Sequence, residues 1–236
     1  MCRLIVTTGT GSIFGFLVAR EAYDAALLAP IFVIMSFSYG LAVFILVLMA
    51  SYAWSNRPLG DGLLYRLKNL LGVFIAAVLY FVLVYHLTNL YATEHHGVER
   101  FILMEGGIYT ALFWIVQIGL GSLLPLAMIY HPRIGKSRPA IATACALVII
   151  GGFAQLYVLL IGGQAYPLDM FPGYEVTSSF FDGVVASYRP SIWEITLGVG
   201  GIALALLIVQ VAARVLRFLP DTLEDSAIDP HAAKAD

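Results

Sequence analysis

Long apolar runs, each closed by a short charged turn, recur along the chain. Runs at about 4–18, 28–53, 69–92, 106–130, 139–163 and 192–216 read as helical spans. A membrane span needs about 20 apolar residues, so the first run is short and the others suffice. Membrane strands would alternate over roughly ten residues between turn signals, and no such alternation occurs. The expected fold is therefore all-α: a polytopic transmembrane helix bundle of about six spans over 1–219. An acidic, Ala/Asp-rich tail follows at 220–236, with a composition that predicts disorder. Gly11 and Gly15 form a small-xxx-small pair that would let a second helix approach the first run closely.

Composition agrees with this pattern. Hydrophobic residues make up 60% of the chain, charged residues 12%, and the mean hydropathy is +0.88. An ordinary soluble domain carries about 25% charged residues. The start, MCRLIV, lacks a signal-peptide pattern because Thr7 to Gly11 interrupt its apolar part. The net charge of −2 points to no partner, and no basic run suggests nucleic acid. Charge does set an orientation. Arg3, Arg57, Arg66, Lys68, Arg133, Lys136, Arg138, Arg214, Arg217 and Lys234 fall on one side of the spans. Arg20, Arg100 and Arg189 fall on the other. The positive-inside rule then places both termini in the cytoplasm. The outer turns are acidic, with Glu21, Asp24, Glu94, Glu99, Glu105, Asp169, Glu175 and Asp182. Trp54, Tyr91, Tyr130, Tyr166 and Trp193 stand at expected interfaces, as an aromatic belt requires.

Candidate chemistry concentrates in 86–117, HLTNLYATEHHGVERFILMEGGIYTALFWIVQ, and in the loop opening at Gln164. His86 lies about two turns inside the third run, beside Tyr85 and Asn89. An ionisable side chain at that depth needs the bundle interior or a watery cavity, and a histidine there exchanges protons near neutral pH. An interhelical hydrogen bond accounts for His86 equally well. His95 and His96 are adjacent, point about 100° apart on a helix, and read as solvated turn histidines. Haem held by two histidines is not expected, because only His86 lies within a span. Cys2 and Cys145 do not form a metal or iron–sulfur motif. Gln117 and Gln155 sit inside spans, where hydrogen bonding between helices is the default. The candidates for binding a lipophilic ligand or moving its protons are His86, Asn89, Tyr91, Glu94, Glu99, Tyr109, Gln117, Gln155, Gln164, Tyr166 and Asp169. No catalytic nucleophile or phosphate loop appears. Ionisable groups gathered at one interface suit a quinone, whose redox reaction moves two electrons and two protons. A small-molecule or ion transporter, or a purely structural anchor, is the alternative reading.

Three stretches carry a family resemblance. GTGSIFGFLVAREAYDAALLAPIFVIMSFSYGLAVF, YHLTNLYATEHHGVERFILMEGGIYTALFWIVQIGLGSLLPL and the IGGQ of 161–164 resemble, in order and spacing, helices of the NrfD/PsrC-type membrane subunits. The resemblance covers about residues 8–217. It implies a haem-free, quinone-interacting membrane anchor (menaquinone or ubiquinone) in a bacterial or archaeal cell membrane. It also implies an iron–sulfur partner of the ferredoxin type and a molybdopterin catalytic subunit, as in polysulfide, tetrathionate, sulfite and nitrite systems. Family members usually have eight to ten spans, and the short first run matches the end of a helix in the middle of that series. The helices forming the family's best-described quinone pocket are thus expected to be missing, and no pocket residue is carried over from them.

Overall fold

The computed structural model describes residues 2–167, 183–216 and 220–225. Within them the chain is helical and contains no named strand. The helices are α1 (Cys2–Gly15), α2 (Leu28–Trp54), α3 (Asp61–Tyr91), the short α4 (His96–Arg100), α5 (Ile108–Tyr130), α6 (Arg138–Ala165) and α7 (Ile192–Val215). Five of them, α2, α3, α5, α6 and α7, are long and apolar enough to cross a membrane. The expected polytopic helical fold is what the chain adopts, with a short helix ahead of the five. Asp169, Glu175, Asp182 and the tail beyond Asp225 lie outside the described residues.

Connections place the turns at two ends of the bundle. The turns at 16–27 and 92–107 and the chain after α6 share an acidic end. The turns at 55–60 and 131–137 and the chain after α7 share a basic end. α3 begins at Asp61, ahead of the apolar run that starts at 69. Extended Gly60 precedes it (φ −70°, ψ 141°), and Asp61 stands in its first turn. A carboxylate there favours the positive end of the helix dipole. Arg66 and Lys68 therefore stand on the first turns of α3 rather than in a loop. Lys68 is buried, and its Nζ donates to the carbonyls of Ile129 (3.1 Å) and Gly135. The Ile129 carbonyl is one of those a helix end leaves without an intrahelical donor, so Lys68 closes the end of α5. At the same end, residues 220–225 return to the α2–α3 turn. The Tyr52 hydroxyl donates to the Pro220 carbonyl (3.0 Å), Gly60 N to the Leu223 carbonyl (2.8 Å), and Gly62 N to the Asp225 carboxylate (3.0 Å).

Small residues set the packing. Gly11 meets the backbone of Leu28 and Ala29, so the glycine face of α1 lies against the start of α2. Gly121 of α5 and Gly151 of α6 touch backbone to backbone, and a Cβ built on Gly151 would overlap the Gly121 Cα. Most of α5 is not α-helical: Leu112–Leu123 is a π-helix, and so is Val158–Gly162 in α6. Pro125 lies just beyond the first of these segments. A proline removes one helical hydrogen bond and clashes with the carbonyl four residues back, and a widened turn absorbs both effects. Gln117 lies within the first of these segments, and Gln155 stands three residues before the second.

The core divides by level. Toward the acidic end, Tyr23, Tyr85, Val98, Phe101, Tyr109 and Phe113 form an aromatic-rich cluster. Toward the basic end the cluster is aliphatic, with Ala42, Ile45, Leu71, Ile75, Ile141 and Val148. α7 starts with a capping box, Ser191 N donating to Glu194 Oε2 (2.6 Å) and Glu194 N to Ser191 Oγ. No residue of α7 is buried, and it is apolar on all sides. Only lipid or further protein satisfies such a surface.

Candidate functional site

The acidic-end turns converge on one side chain. Glu99, in α4, is fully buried (0% exposed) rather than a solvated member of the acidic turn. Its Oε2 lies 2.7 Å from His86 Nδ1, and its Oε1 accepts from Asn89 Nδ2 at 2.9 Å. His86 and Asn89 are i,i+3 neighbours on α3 and so present one face to α4. At 2.7 Å two facing lone pairs would repel, so one proton lies between the imidazole and the carboxylate. Phe113 of α5 stands edge to face on His86, with centroids 4.8 Å apart. The site thus holds a proton shared by two titratable groups inside an aromatic wall.

What holds α4 in place was not visible in the sequence. His95, expected to be solvated, is buried, and its Nδ1–H donates to the Glu21 carbonyl at 2.7 Å. That bond ties the 92–100 turn to the turn between α1 and α2 and orients Glu99 inward. His95→Ala is expected to lower stability by about 1–3 kcal/mol through the carbonyl left without its donor. A thermal melt of the detergent-purified protein checks this. His96 is exposed and donates to the Leu90 carbonyl (2.8 Å). In the 16–27 turn, the Tyr23 hydroxyl donates to the Leu160 carbonyl (2.7 Å) and Arg20 Nη1 to the Gln164 carbonyl (2.9 Å). Burial pushes the Tyr23 phenol above its ordinary range, which keeps it a donor.

His86 lines a mostly apolar, partly open cavity of about 30 Å³. Leu28, Ile31, Val82, Ile102, Phe113, Val158 and Leu159 wall it, and Gln117 and Gln155 line it too. The Tyr39 hydroxyl donates to Gln155 Oε1, which aims the amide nitrogen of Gln155 elsewhere. The cavity therefore combines a titratable group, apolar walls and two amides.

The other candidates fall around this cluster. Tyr109 is buried nearby, its ring 5.7 Å from Phe101 and in contact with Gly162. Tyr166 turns inward onto Phe101 (5.6 Å) and is no belt residue. Tyr91 is 90% exposed and Glu94 is exposed, so both lie apart from the cavity. Gln164 is exposed, and its backbone carbonyl receives Arg20. Asp169 is outside the described residues. Sequence reasoning missed Tyr39, for which there was no local signal, and Phe113. Among the described residues no group of three His, Cys, Asp or Glu side chains could hold a metal ion, and Cys145 is buried and free.

These features define a multi-pass helical membrane protein with a buried titratable site beside an apolar cavity. The sequence pattern of the family described as Polysulphide reductase, NrfD matches residues 1–167, and the chain belongs to that family. It is 27% identical over 96% of its length to the Hdr-like menaquinol oxidoreductase integral membrane subunit of Archaeoglobus fulgidus, covering 58% of that protein. It is 28% identical over 88% of its length to a selenate reductase subunit of Mesobacillus selenatarsenatis, covering 47% of it. It is also 28% identical over 89% of its length to a putative dimethyl sulfoxide reductase membrane subunit of Halobacterium salinarum, covering 49%. The chain spans about half the length of the curated relatives it matches. No solved structure matches it. With its five spanning helices, it is a multi-pass protein of a prokaryotic cell membrane.

Proposed function

We propose that the chain is the quinone-interacting membrane anchor of a respiratory oxidoreductase complex. In this reading it passes electrons between the quinone pool and an iron–sulfur subunit of the ferredoxin type, with a molybdopterin subunit as the terminal catalyst. The observation that carries the reading is the 2.7 Å His86–Glu99 hydrogen bond on the wall of an apolar cavity. In this reading the cavity of about 30 Å³ widens from its open side to take a quinol head, with one hydroxyl on His86. Oxidation of the quinol to the quinone passes two electrons to the partner; the His86–Glu99 pair accepts one proton as the first O–H bond breaks, and the second proton goes to water as the second O–H bond breaks. Asn89 holds the carboxylate in place for that transfer. In the reverse direction the same pair donates. The printed name of the Archaeoglobus relative includes menaquinol, and the two 28%-identical relatives are named as parts of reductases, which supports this reading. A transporter is less well supported, because the buried polar groups thin out toward the aliphatic cluster of the basic end.

The test is quinol-dependent turnover of the complex assembled with its partners. His86→Ala is expected to lower turnover by about 100-fold or more, the usual weight of a positioned acid–base group. Unchanged turnover would leave a structural anchor as the better account. The orientation is part of the same proposal, with the acidic end outside. A membrane-impermeant thiol reagent applied to intact cells is expected to label Thr93→Cys and not Ser137→Cys, both exposed positions at opposite ends. The opposite labelling pattern would reverse the assignment.

A further inference from the structure

Hydroxyls within helices usually turn back onto a carbonyl of their own helix. Ser36 does so to Val33, Thr88 to Val84 and Thr143 to Pro139. Ser38, fully buried in the middle of α2, does not. Its Oγ has no hydrogen-bond partner among the described residues. An unpaired buried hydroxyl is costly and demands an explanation.

The space around Ser38 supplies one. A second, smaller cavity lies there, bounded by Ser38, Tyr39, Gln117, Ser122 and Gln155 and by the backbone of the Gly121–Gly151 crossing. It is polar on several sides and has room for about one water-sized group. Ser122 Oγ already donates to the Gln117 carbonyl (2.9 Å), and Tyr39 already donates to Gln155. Ser38 and the Gln117 amide are the groups left to be joined. Ile75, Val78 and Val148 close the cavity on its remaining side. Gln117 and Gln155 also line the larger cavity, so the two spaces share an amide wall.

We propose that the smaller cavity binds one ordered water held by Ser38 and Gln117, which orients the glutamine pair to receive the second oxygen of a quinone whose first oxygen lies at His86. The water site stands on the geometry alone, and its role toward the ligand rests on the function proposed above. The two oxygens of a para-quinone lie at opposite ends of its ring, and His86 and the glutamines both line the larger cavity. The glutamines are then positioning and specificity groups, neutral donors that hold the ring without competing for its protons.

Radiolytic hydroxyl labelling with X-ray pulses tests the water, because radicals formed from bound water mark the side chains touching it. In the assembled complex in lipid nanodiscs, Tyr39 is expected to be labelled, while Ile45, deep in the aliphatic cluster, is not. Ser38→Ala, which keeps the helix intact, is expected to reduce Tyr39 labelling severalfold. The same variant is expected to raise the KM for quinol about fivefold, the weight of one hydrogen bond. Its kcat and pH profile should not change, because His86 and Glu99 are untouched. Labelling of Tyr39 no faster than that of Ile45 in the unaltered protein overturns the water site. Labelling with an unchanged KM in Ser38→Ala overturns the link to the glutamines. A complex that assembles and binds its partners yet shows no quinol turnover defeats the functional reading, and the labelling result stands independently.

Discussion

Replacing Glu99 by glutamine is expected to reduce quinol-dependent turnover of the assembled complex by at least about 100-fold, at the level set for loss of a general acid–base group. Glu99 is the only fully buried carboxylate among the described residues, and both of its oxygens are engaged by α3. Glutamine keeps the shape and can still accept from Asn89 through its carbonyl, so folding and assembly should survive. It cannot take or return a proton, and His86 then faces a group that cannot share one. Glu99→Ala should lose the same activity and also stability, because Asn89 and His86 are both left without a buried partner. The comparison separates the two roles. Turnover in Glu99→Gln within about twofold of the parent, where an acid–base group should weigh about 100-fold or more, would sink the proton role and leave Glu99 a structural tie.

Gly151→Val is expected to prevent a stable bundle, and Gly151→Ala to cost about 1–3 kcal/mol, the usual penalty for overpacking. Any Cβ there overlaps the Gly121 Cα, and backbone cannot rotate out of the way as a side chain can. The added volume must therefore push α5 and α6 apart. Gln117 and Gln155 lie on these two helices and would separate with them, so quinol binding should weaken in Gly151→Ala even where the protein folds. Thermal melts and size-exclusion chromatography of the detergent-purified variants measure the first effect, and quinol KM the second. An unaltered melting temperature in Gly151→Val would show that the two helices part at no cost.

Much of the fold was legible because hydrocarbon permits few solutions. A backbone without water must satisfy its own polar groups, so long apolar runs become helices whatever their neighbours do. The glycine pair on α1 was equally local. The start of α3 was harder, since Arg66 and Lys68 look like loop charges until Lys68 is found sealing the end of α5. The π-helical turns carried only an indirect sign, Pro125. The site was legible in part. His86, Asn89, Gln117 and Gln155 stood out by lying inside apolar runs. Glu99 was a candidate but could not be told from Glu94 beside it, and His95 was read as solvated, because both sit in a turn dense with charged residues, where one member differs from another only in what packs over it.

Apolar run length and the charges between runs thus determined the class of this protein, its helices and the end of the bundle at which titratable groups gather. Only the tertiary structure decided which of those groups is buried and which helix it meets. That selection depends on contacts between segments far apart in sequence, such as His95 with Glu21 and Tyr39 with Gln155. No local pattern of residues encodes the shape of the space such contacts enclose.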